Sequence, residues 1–276
     1  MQIDAHQHFW HYDPVRDGWI TEEMAVLKRD FLPDDLRPLI EAQGVEGTVA
    51  VQADQSEDET DFLLQLAASH PFIKGVVGWV DLRAPMLGKR LEHFSRFEHL
   101  CGVRHIAQAE ADDFLARDDV VRGIGLLSDF GLTYDILVYP QQLLAALSLV
   151  EKLPDSPFVV DHLAKPLIRQ GKTEPWATHM RELAQHQKVC CKVSGLVTEA
   201  DWRRWRPEDI RPYLDLAFEA FGPDRLMFGS DWPVCTLAAS YREVWELLDG
   251  YASQFSASER GKLFGGNAAR FYGLAV

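Results

Sequence analysis

The sequence has 276 residues, of which 47% are hydrophobic and 25% are charged, and it carries a net charge of −14 at neutral pH. That length and composition fit one large α/β domain with a sizeable core. The strong negative charge disfavours nucleic acid and anionic membrane surfaces as partners, and no apolar run approaches the roughly 20 residues that span a bilayer. Because the first residues lack the basic and apolar parts of a signal peptide and the four cysteines form no Cys-x-x-Cys pair, we expect a cytoplasmic protein with free thiols.

Short apolar and β-branched runs recur along the chain and predict eight strands. They cover residues 3–6, 47–52, 75–81, 102–106, 132–137, 157–162, 189–193 and 225–231. Segments with apolar residues at three- and four-residue spacing lie between and after them and predict helices. These helices cover residues 34–40, 58–69, 112–130, 141–150, 175–186, 207–221, 239–248, 256–264 and 267–272.

The alternation of strands and helices predicts parallel pairing, because each crossover must return the chain to the same end of the sheet. Eight such units in this length match a closed (β/α)₈ barrel, a single domain over residues 1–276. A doubly wound open sheet is the structural alternative, but it needs a glycine-rich turn after the first strand. The stretch from His6 to Trp10 contains no glycine, so the barrel is the simpler interpretation.

Polar residues concentrate where the predicted strands end, which is where barrel enzymes carry their chemistry. The sharpest set is His6 and His8 after strand one, His162 after strand six and Asp231 after strand eight. Residues i and i+2 of a strand share a face, so the first two imidazoles should project together. Three imidazoles and a carboxylate suit a divalent metal, but they also suit metal-free hydrolysis in which Asp231 takes a proton from water. The residues leave both alternatives open.

Five longer stretches carry a family resemblance. They are His6-Gln7-His8-Phe9-Trp10, Gly102-Val103-Arg104-His105, Val160-Asp161-His162-Leu163-Ala164-Lys165-Pro166, Gly229-Ser230-Asp231-Trp232-Pro233 and Gly265-Gly266-Asn267-Ala268-Ala269-Arg270-Phe271-Tyr272. In this order they resemble the amidohydrolase superfamily and, more narrowly, its branch of sugar lactonases and 2-pyrone-4,6-dicarboxylate lactonases.

The resemblance implies a (β/α)₈ barrel that hydrolyses a cyclic ester, and it carries His6, His8, His162 and Asp231 onto metal-ligand and catalytic positions. Many members of the superfamily have a lysine or histidine at the end of strand five, where this sequence has Tyr134-Asp135. That departure argues against a two-metal centre and leaves one divalent ion, zinc or manganese, or a metal-independent enzyme.

Within that branch, we expect a sugar-acid lactone such as L-fuconolactone or L-rhamnonolactone, because a dicarboxylate would require more cations than the strand ends offer. Candidate substrate-binding residues are Trp10, Gln52, Arg104, His105, Tyr134, Lys165 and Trp232. The alternatives are a 2-pyrone-4,6-dicarboxylate lactonase, a metal-dependent decarboxylase of the same superfamily, and a sugar-acid binding protein without catalysis. The oligomeric state is left open, a homodimer included.

Overall fold

A computed structural model describes residues 1–275, and eight parallel strands hydrogen-bonded in chain order form its centre. The strands are β1 (Ile3–Gln7), β2 (Gly47–Val51), β3 (Ile73–Gly78), β4 (Leu100–His105), β5 (Thr133–Ile136), β6 (Phe158–Val160), β7 (Val189–Val193) and β8 (Leu226–Phe228). Each overlaps one predicted strand, and the predicted (β/α)₈ fold is confirmed.

Helices surround the strands. They are α1 (Pro33–Ala42), α2 (Glu57–Ser69), α3 (Leu87–Phe94), α4 (Asp118–Gly125), α5 (Leu143–Lys152), α6 (Trp176–Ala184), α7 (Leu196–Glu199), α8 (Pro207–Phe221), α9 (Tyr241–Ala252), α10 (Ala257–Gly261) and α11 (Asn267–Tyr272). The predicted helix over residues 112–130 is in fact α4 flanked by two 3₁₀ segments, Phe114–Ala116 and Leu126–Phe130. The sequence prediction missed α3 and α7. Across residues 1–275, every helix is too short or too polar to cross a bilayer.

The two ends of the sheet meet beyond the end of β8. The backbone N–H of Asp231 donates to the carbonyl of His6 at 2.8 Å, and the N–H of His8 donates to the carbonyl of Trp232 at 2.7 Å. These bonds close the barrel at the residues expected to carry the chemistry.

The barrel interior is apolar at the end where the strands begin. Side chains from seven strands cluster there, and the C-terminal helix α11 and Leu274 cover them from below. Tyr272 at the end of α11 is buried among them. Above this apolar layer the interior becomes ionic, and above the ionic layer it opens into a cavity. A second, larger core fills the space between strands and helices.

Candidate active site

The first two histidines reach the interior because of an irregularity in β1. Ile3 and Ala5 belong to the interior apolar cluster, and the pairing of β1 with β2 shifts register between Asp4 and Gln7. Such a bulge re-aims the following side chain. His6 therefore points into the barrel, and its Nε2 lies 3.2 Å from Nε2 of His8.

The other two residues of the set lie where the chain leaves β6 and β8 in the left-handed region. His162 has a φ of 53° and Asp231 a φ of 57°, and the left-handed run continues from His162 through Lys165. Residues with a Cβ avoid this region at a cost of about 1–2 kcal/mol each, and such strain is typical of functional sites. The carbonyl of Leu163 accepts a 2.6 Å hydrogen bond from Trp176 Nε1, which holds the turn after β6.

These turns bring the four side chains together as predicted from their strand ends. Asp231 Oδ1 lies 3.9 Å from His6 Nε2, 3.4 Å from His8 Nε2 and 3.8 Å from His162 Nε2. The His6 and His162 rings are 4.4 Å apart between centroids. All four side chains are almost completely buried. They form one cluster from β1, β6 and β8, which we call the histidine–aspartate cluster.

An ionic layer lies directly beneath this cluster. Lys192 Nζ is 3.0 Å from Asp161 Oδ1 and 3.1 Å from His6 Nδ1, and it also donates to Asp135. Arg104 Nη1 is 3.0 Å from Asp161 Oδ2 and 3.4 Å from His6 Nε2. Arg104, Lys192 and Asp161 therefore lie against the ring of His6, Asp135 lies behind Lys192, and each of the four is at most 3% exposed. Burying charge without such partners would be costly.

The environment sets the ionisation of the cluster. Burial lowers the pKa of His162 to about 4 and holds the pKa of His6 well below its ordinary value. Burial alone would raise the pKa of Asp231, but the neighbouring imidazoles of His162, His8 and His6 hold it below its ordinary value. At neutral pH, Asp231 is a carboxylate and the rings of His6 and His162 are uncharged.

The tautomer of His8 follows from the hydrogen bond that its ring makes. His8 Nδ1 lies 2.7 Å from the carbonyl oxygen of Val51. A carbonyl can only accept, so Nδ1 carries the proton and donates it. In the neutral ring, Nε2 of His8 then presents a lone pair to the cluster, which suits a metal ligand or an acceptor for water.

The donor set of the cluster fits a divalent metal. Bonds of about 2.1 Å in tetrahedral geometry require ligand atoms about 3.4 Å apart. His6 Nε2, His8 Nε2 and Asp231 Oδ1 are separated by 3.2, 3.4 and 3.9 Å, and within residues 1–275 they form one of two groupings with metal-ligand spacing. The guanidinium of Arg104 beside His6 places a positive charge next to any ion held there, which weakens its binding.

A cavity of about 310 Å³ opens above the cluster, within the range of small-molecule sites. His8, His162 and Asp231 form part of its floor. The walls combine apolar and polar side chains, namely Trp10, Trp19, Ile106 and Leu137 with Gln55, Gln108, Arg104 and Lys165. Lys165 Nζ forms a 3.2 Å ion pair with Glu199. Such a mixture can stack on a sugar ring and hydrogen-bond to its hydroxyl groups.

The seven side chains expected to bind substrate divide into two groups. Trp10, Arg104 and Lys165 line the cavity. The others lie outside its lining. Gln52 supports Arg104, because its Nε2 donates to the Arg104 carbonyl at 3.2 Å. His105 lies between Trp79 and Glu110, with ring contacts of 3.2 and 3.0 Å.

Tyr134 and Trp232 also face away from the cavity. Tyr134 alternates with the inward-facing Asp135 and packs edge-on against Phe158 at 6.4 Å. Trp232 packs against Phe9 and Phe31 at 6.1 and 5.3 Å in the outer core. Strand alternation sends Tyr134 outwards, whereas Trp232 lies beyond the end of β8 and follows the left-handed Asp231.

Several lining residues were not singled out as substrate-binding from the sequence. Gln55 and Gln108 each follow a strand end by a few residues, so a wider window after β2 and β4 would have included them. Gln55 Oε1 accepts the backbone N–H of Ile106 at 2.8 Å, which joins the two loops. Trp19 comes from the long loop after β1, where no periodic signal places a side chain.

Comparison with known proteins gives consistent results along the whole barrel. Residues 3–274 match the amidohydrolase family. The chain is 47% identical to an L-fucono-1,5-lactonase of Burkholderia multivorans, over 99% of this chain and 96% of that protein. It is 38% identical to an L-fucono-1,5-lactonase of Burkholderia ambifaria, over 99% and 95% of the two chains. A crystal structure of a Burkholderia multivorans amidohydrolase with bound zinc superposes with a TM-score of 0.96 at 48% identity, covering both chains completely.

Proposed function

The chain belongs to the amidohydrolase family, and on that premise we propose that it is a lactonase that opens a sugar-acid lactone of the L-fucono-1,5-lactone type. The relatives that are L-fucono-1,5-lactonases span almost its whole length, which agrees with the lactone hydrolase expected from the sequence. The observation that carries the proposal is the convergence of His6, His8, His162 and Asp231 at the base of one cavity, with the last three forming part of its floor.

We assign the proton transfers to Asp231. Its carboxylate takes a proton from water, and the water oxygen forms a bond to the lactone carbonyl carbon while the carbonyl electrons move onto oxygen. The tetrahedral intermediate then collapses by breaking the bond to the ring oxygen. That oxygen receives the proton from Asp231, and the product is an open hydroxy acid.

The developing oxyanion needs donors, and the hydrogen bonds decide which histidine can supply one. His8 Nε2 is an acceptor in the neutral ring, because Nδ1 donates to Val51. His162 Nδ1 is 2.8 Å from Ser194 Oγ; when the serine hydroxyl donates there, the proton of His162 lies on Nε2, facing the cluster. We therefore propose His162 and the Arg104 guanidinium as the donors to the oxyanion.

An aspartate with a lowered pKa is a weak base, so the water must be made more acidic. A divalent metal held by His6, His8 and Asp231 would supply that acidity, because bound water can reach a pKa of about 7, and would also polarise the carbonyl. The 48% identical structure was determined with bound zinc, which supports a divalent metal. We propose one divalent ion, zinc or manganese.

The charges of the cavity favour a neutral substrate over a dicarboxylate. Among its lining residues the cations are Arg104 and Lys165. Arg104 is paired with Asp161 at 3.0 Å and Lys165 with Glu199 at 3.2 Å. Because both cations are already paired with carboxylates, a dicarboxylate would find no unpaired cationic side chain among these lining residues. A polyol lactone would find donors and acceptors instead.

The test is a substrate panel with purified protein. L-fuconolactone, L-rhamnonolactone, 2-pyrone-4,6-dicarboxylate and a hydroxylated benzoate should be assayed as purified, after chelation, and with zinc or manganese restored. We expect hydrolysis of a sugar lactone that falls on chelation and returns with metal. Turnover of the benzoate alone, with release of carbon dioxide, would instead support a decarboxylase.

The role of Asp231 is tested by Asp231→Asn, which should lower kcat by at least about 10³-fold with the fold intact, since the amide cannot accept the proton. Asp155→Asn at an exposed turn is the matched control and should behave as the wild type. Near-wild-type kcat in Asp231→Asn would refute the assignment.

We also propose a cytoplasmic location and no nucleic-acid partner. The free, buried state of all four cysteines supports the cytoplasmic location. The net charge of −14 supports the absence of a nucleic-acid partner.

A further inference from the structure

The C-terminal helix contributes a side chain that passes through the apolar layer and reaches the ionic layer. Tyr272 is 6% exposed and packs among the interior residues at the closed end of the barrel. Its hydroxyl donates to Asp135 Oδ2 at 2.8 Å. Its ring faces Lys192, whose Nζ lies 5.4 Å from the ring centroid, within the range of a cation–π contact.

From Asp135 the contacts continue to the histidine–aspartate cluster. Asp135 Oδ2 accepts from Lys192 as well as from Tyr272, and Lys192 Nζ lies 3.1 Å from Nδ1 of His6. Nε2 of the same His6 ring faces His8 and Asp231. A continuous chain of buried polar contacts thus connects the C-terminal helix to the cavity floor.

We propose that Tyr272 is a positioning residue, which holds the Asp135–Lys192 pair in place and thereby fixes the ring of His6 for lactone hydrolysis. The inference rests on the proposed lactonase function. Asp135 Oδ1 has no hydrogen-bond partner within residues 1–275, so the carboxylate is oriented by Lys192 and Tyr272, which both contact Oδ2.

Loss of the Tyr272 hydroxyl leaves Asp135 held by its ion pair with Lys192 alone. Lys192 Nζ can then shift between Asp135 and Asp161, which both accept from it, and this shift changes its 3.1 Å approach to Nδ1 of His6. A displacement of His6 by a fraction of an ångström is enough to slow a reaction that depends on alignment. Substrate contacts on the cavity wall are unaffected, so KM should change little.

The variant Tyr272→Phe removes only the hydroxyl and keeps the ring over Lys192. We expect kcat to fall about tenfold with KM within about twofold of the wild type. Asp135→Asn is the second variant and should lower kcat in the same way. Adding Tyr272→Phe to Asp135→Asn should lower kcat by less than the product of the two separate effects, because both act through Lys192.

The matched control removes the same kind of hydrogen bond, from a tyrosine hydroxyl to an aspartate, outside the barrel interior. Tyr251 Oη also donates to a carboxylate, Asp215, at 2.8 Å, but this pair joins the outer helices α8 and α9. Tyr251→Phe should lower the Tm by a similar amount and leave kcat unchanged. An equal loss of kcat in both variants would overturn the inference, since a general loss of stability would then explain it.

A readout without turnover separates this inference from the proposed function. The ¹⁵N resonances of the His6 ring, assigned with a His6→Asn variant, should shift in Tyr272→Phe and stay unchanged in Tyr251→Phe. If the wild type hydrolyses no lactone but the His6 resonances shift, the proposed function fails and the positioning role stands. Unchanged resonances together with wild-type kcat in Tyr272→Phe would overturn the positioning role.

Discussion

The substitution Gly195→Ala tests whether the placement of His162 limits catalysis. Gly195 follows β7 with a φ of +64°, and a Cβ added there would lie 2.7 Å from Nδ1 and 2.9 Å from Cγ of His162. Ordinary contact begins near 3.4 Å, so the ring must move by roughly 0.7 Å, which would break its 2.8 Å hydrogen bond to Ser194. Movement of a catalytic group by about 1 Å can cost about 10²-fold in rate.

We therefore expect kcat/KM of Gly195→Ala to fall by about 100-fold on the lactone that the wild type hydrolyses. The left-handed backbone costs about 1–2 kcal/mol and the lost hydrogen bond about 1 kcal/mol, so the Tm should fall by only a few degrees. Gly131→Ala is the matched control, because its φ is +69° and no atom lies within 4 Å of the added Cβ. Gly131→Ala should lower the Tm through the left-handed backbone alone and leave kcat/KM unchanged. Wild-type kcat/KM in Gly195→Ala would refute the reasoning.

Two further predictions concern stability and substrate binding. Burial raises the pKa of Glu59 to about 7, so its protonated form stabilises the fold at low pH and this stabilisation is lost as the pH rises through 7. The free energy of unfolding of the wild type relative to Glu59→Gln should fall by about 2 kcal/mol between pH 5 and pH 8 in urea titrations, and parallel pH profiles would contradict this. Lys165→Met should raise KM for the sugar lactone about tenfold with a smaller change in kcat, because a donor is lost from the cavity wall. Lys152→Met, which breaks a surface ion pair of equal length, 3.2 Å, should leave KM unchanged, and equal effects of the two lysine variants would contradict a binding role for Lys165.

Periodicity was sufficient to predict the barrel, because each strand is buried on both faces and reads as a short apolar run. It failed where an element was short. In α3, Leu87, Leu91 and Phe94 follow a helical spacing and are buried, but the segment comes just after Pro85 and contains Gly88, which together resemble a loop. The four residues of α7 are too few to show a period at all.

Strand alternation predicted some side chains of the site well and misplaced others. It places Asp161 and His162 on opposite faces, yet both contact His6, because the chain turns left-handed at His162. A left-handed turn that contains no glycine cannot be recognised from the sequence. With the correct register, strand alternation predicts that the side chains of His105 and Tyr134 face away from the cavity.

The ionic layer could not be predicted from the sequence either. Lys192 and Asp135 are separated by 57 positions and meet across the barrel interior. Their pairing depends on the relative height of β5 and β7, which composition and spacing do not encode. The contact of Tyr272 with Asp135 spans 137 positions and depends on how the last helix folds back under the barrel.

The seam of the barrel has a consequence for how the protein acquires activity. Its last two backbone bonds join His6 to Asp231 and His8 to Trp232, so the first and last parts of the chain must dock before the cavity floor exists. Completion of the fold and appearance of the active centre should then be a single event. Recovery of enzyme activity after dilution from denaturant would report directly on the docking of the two chain ends.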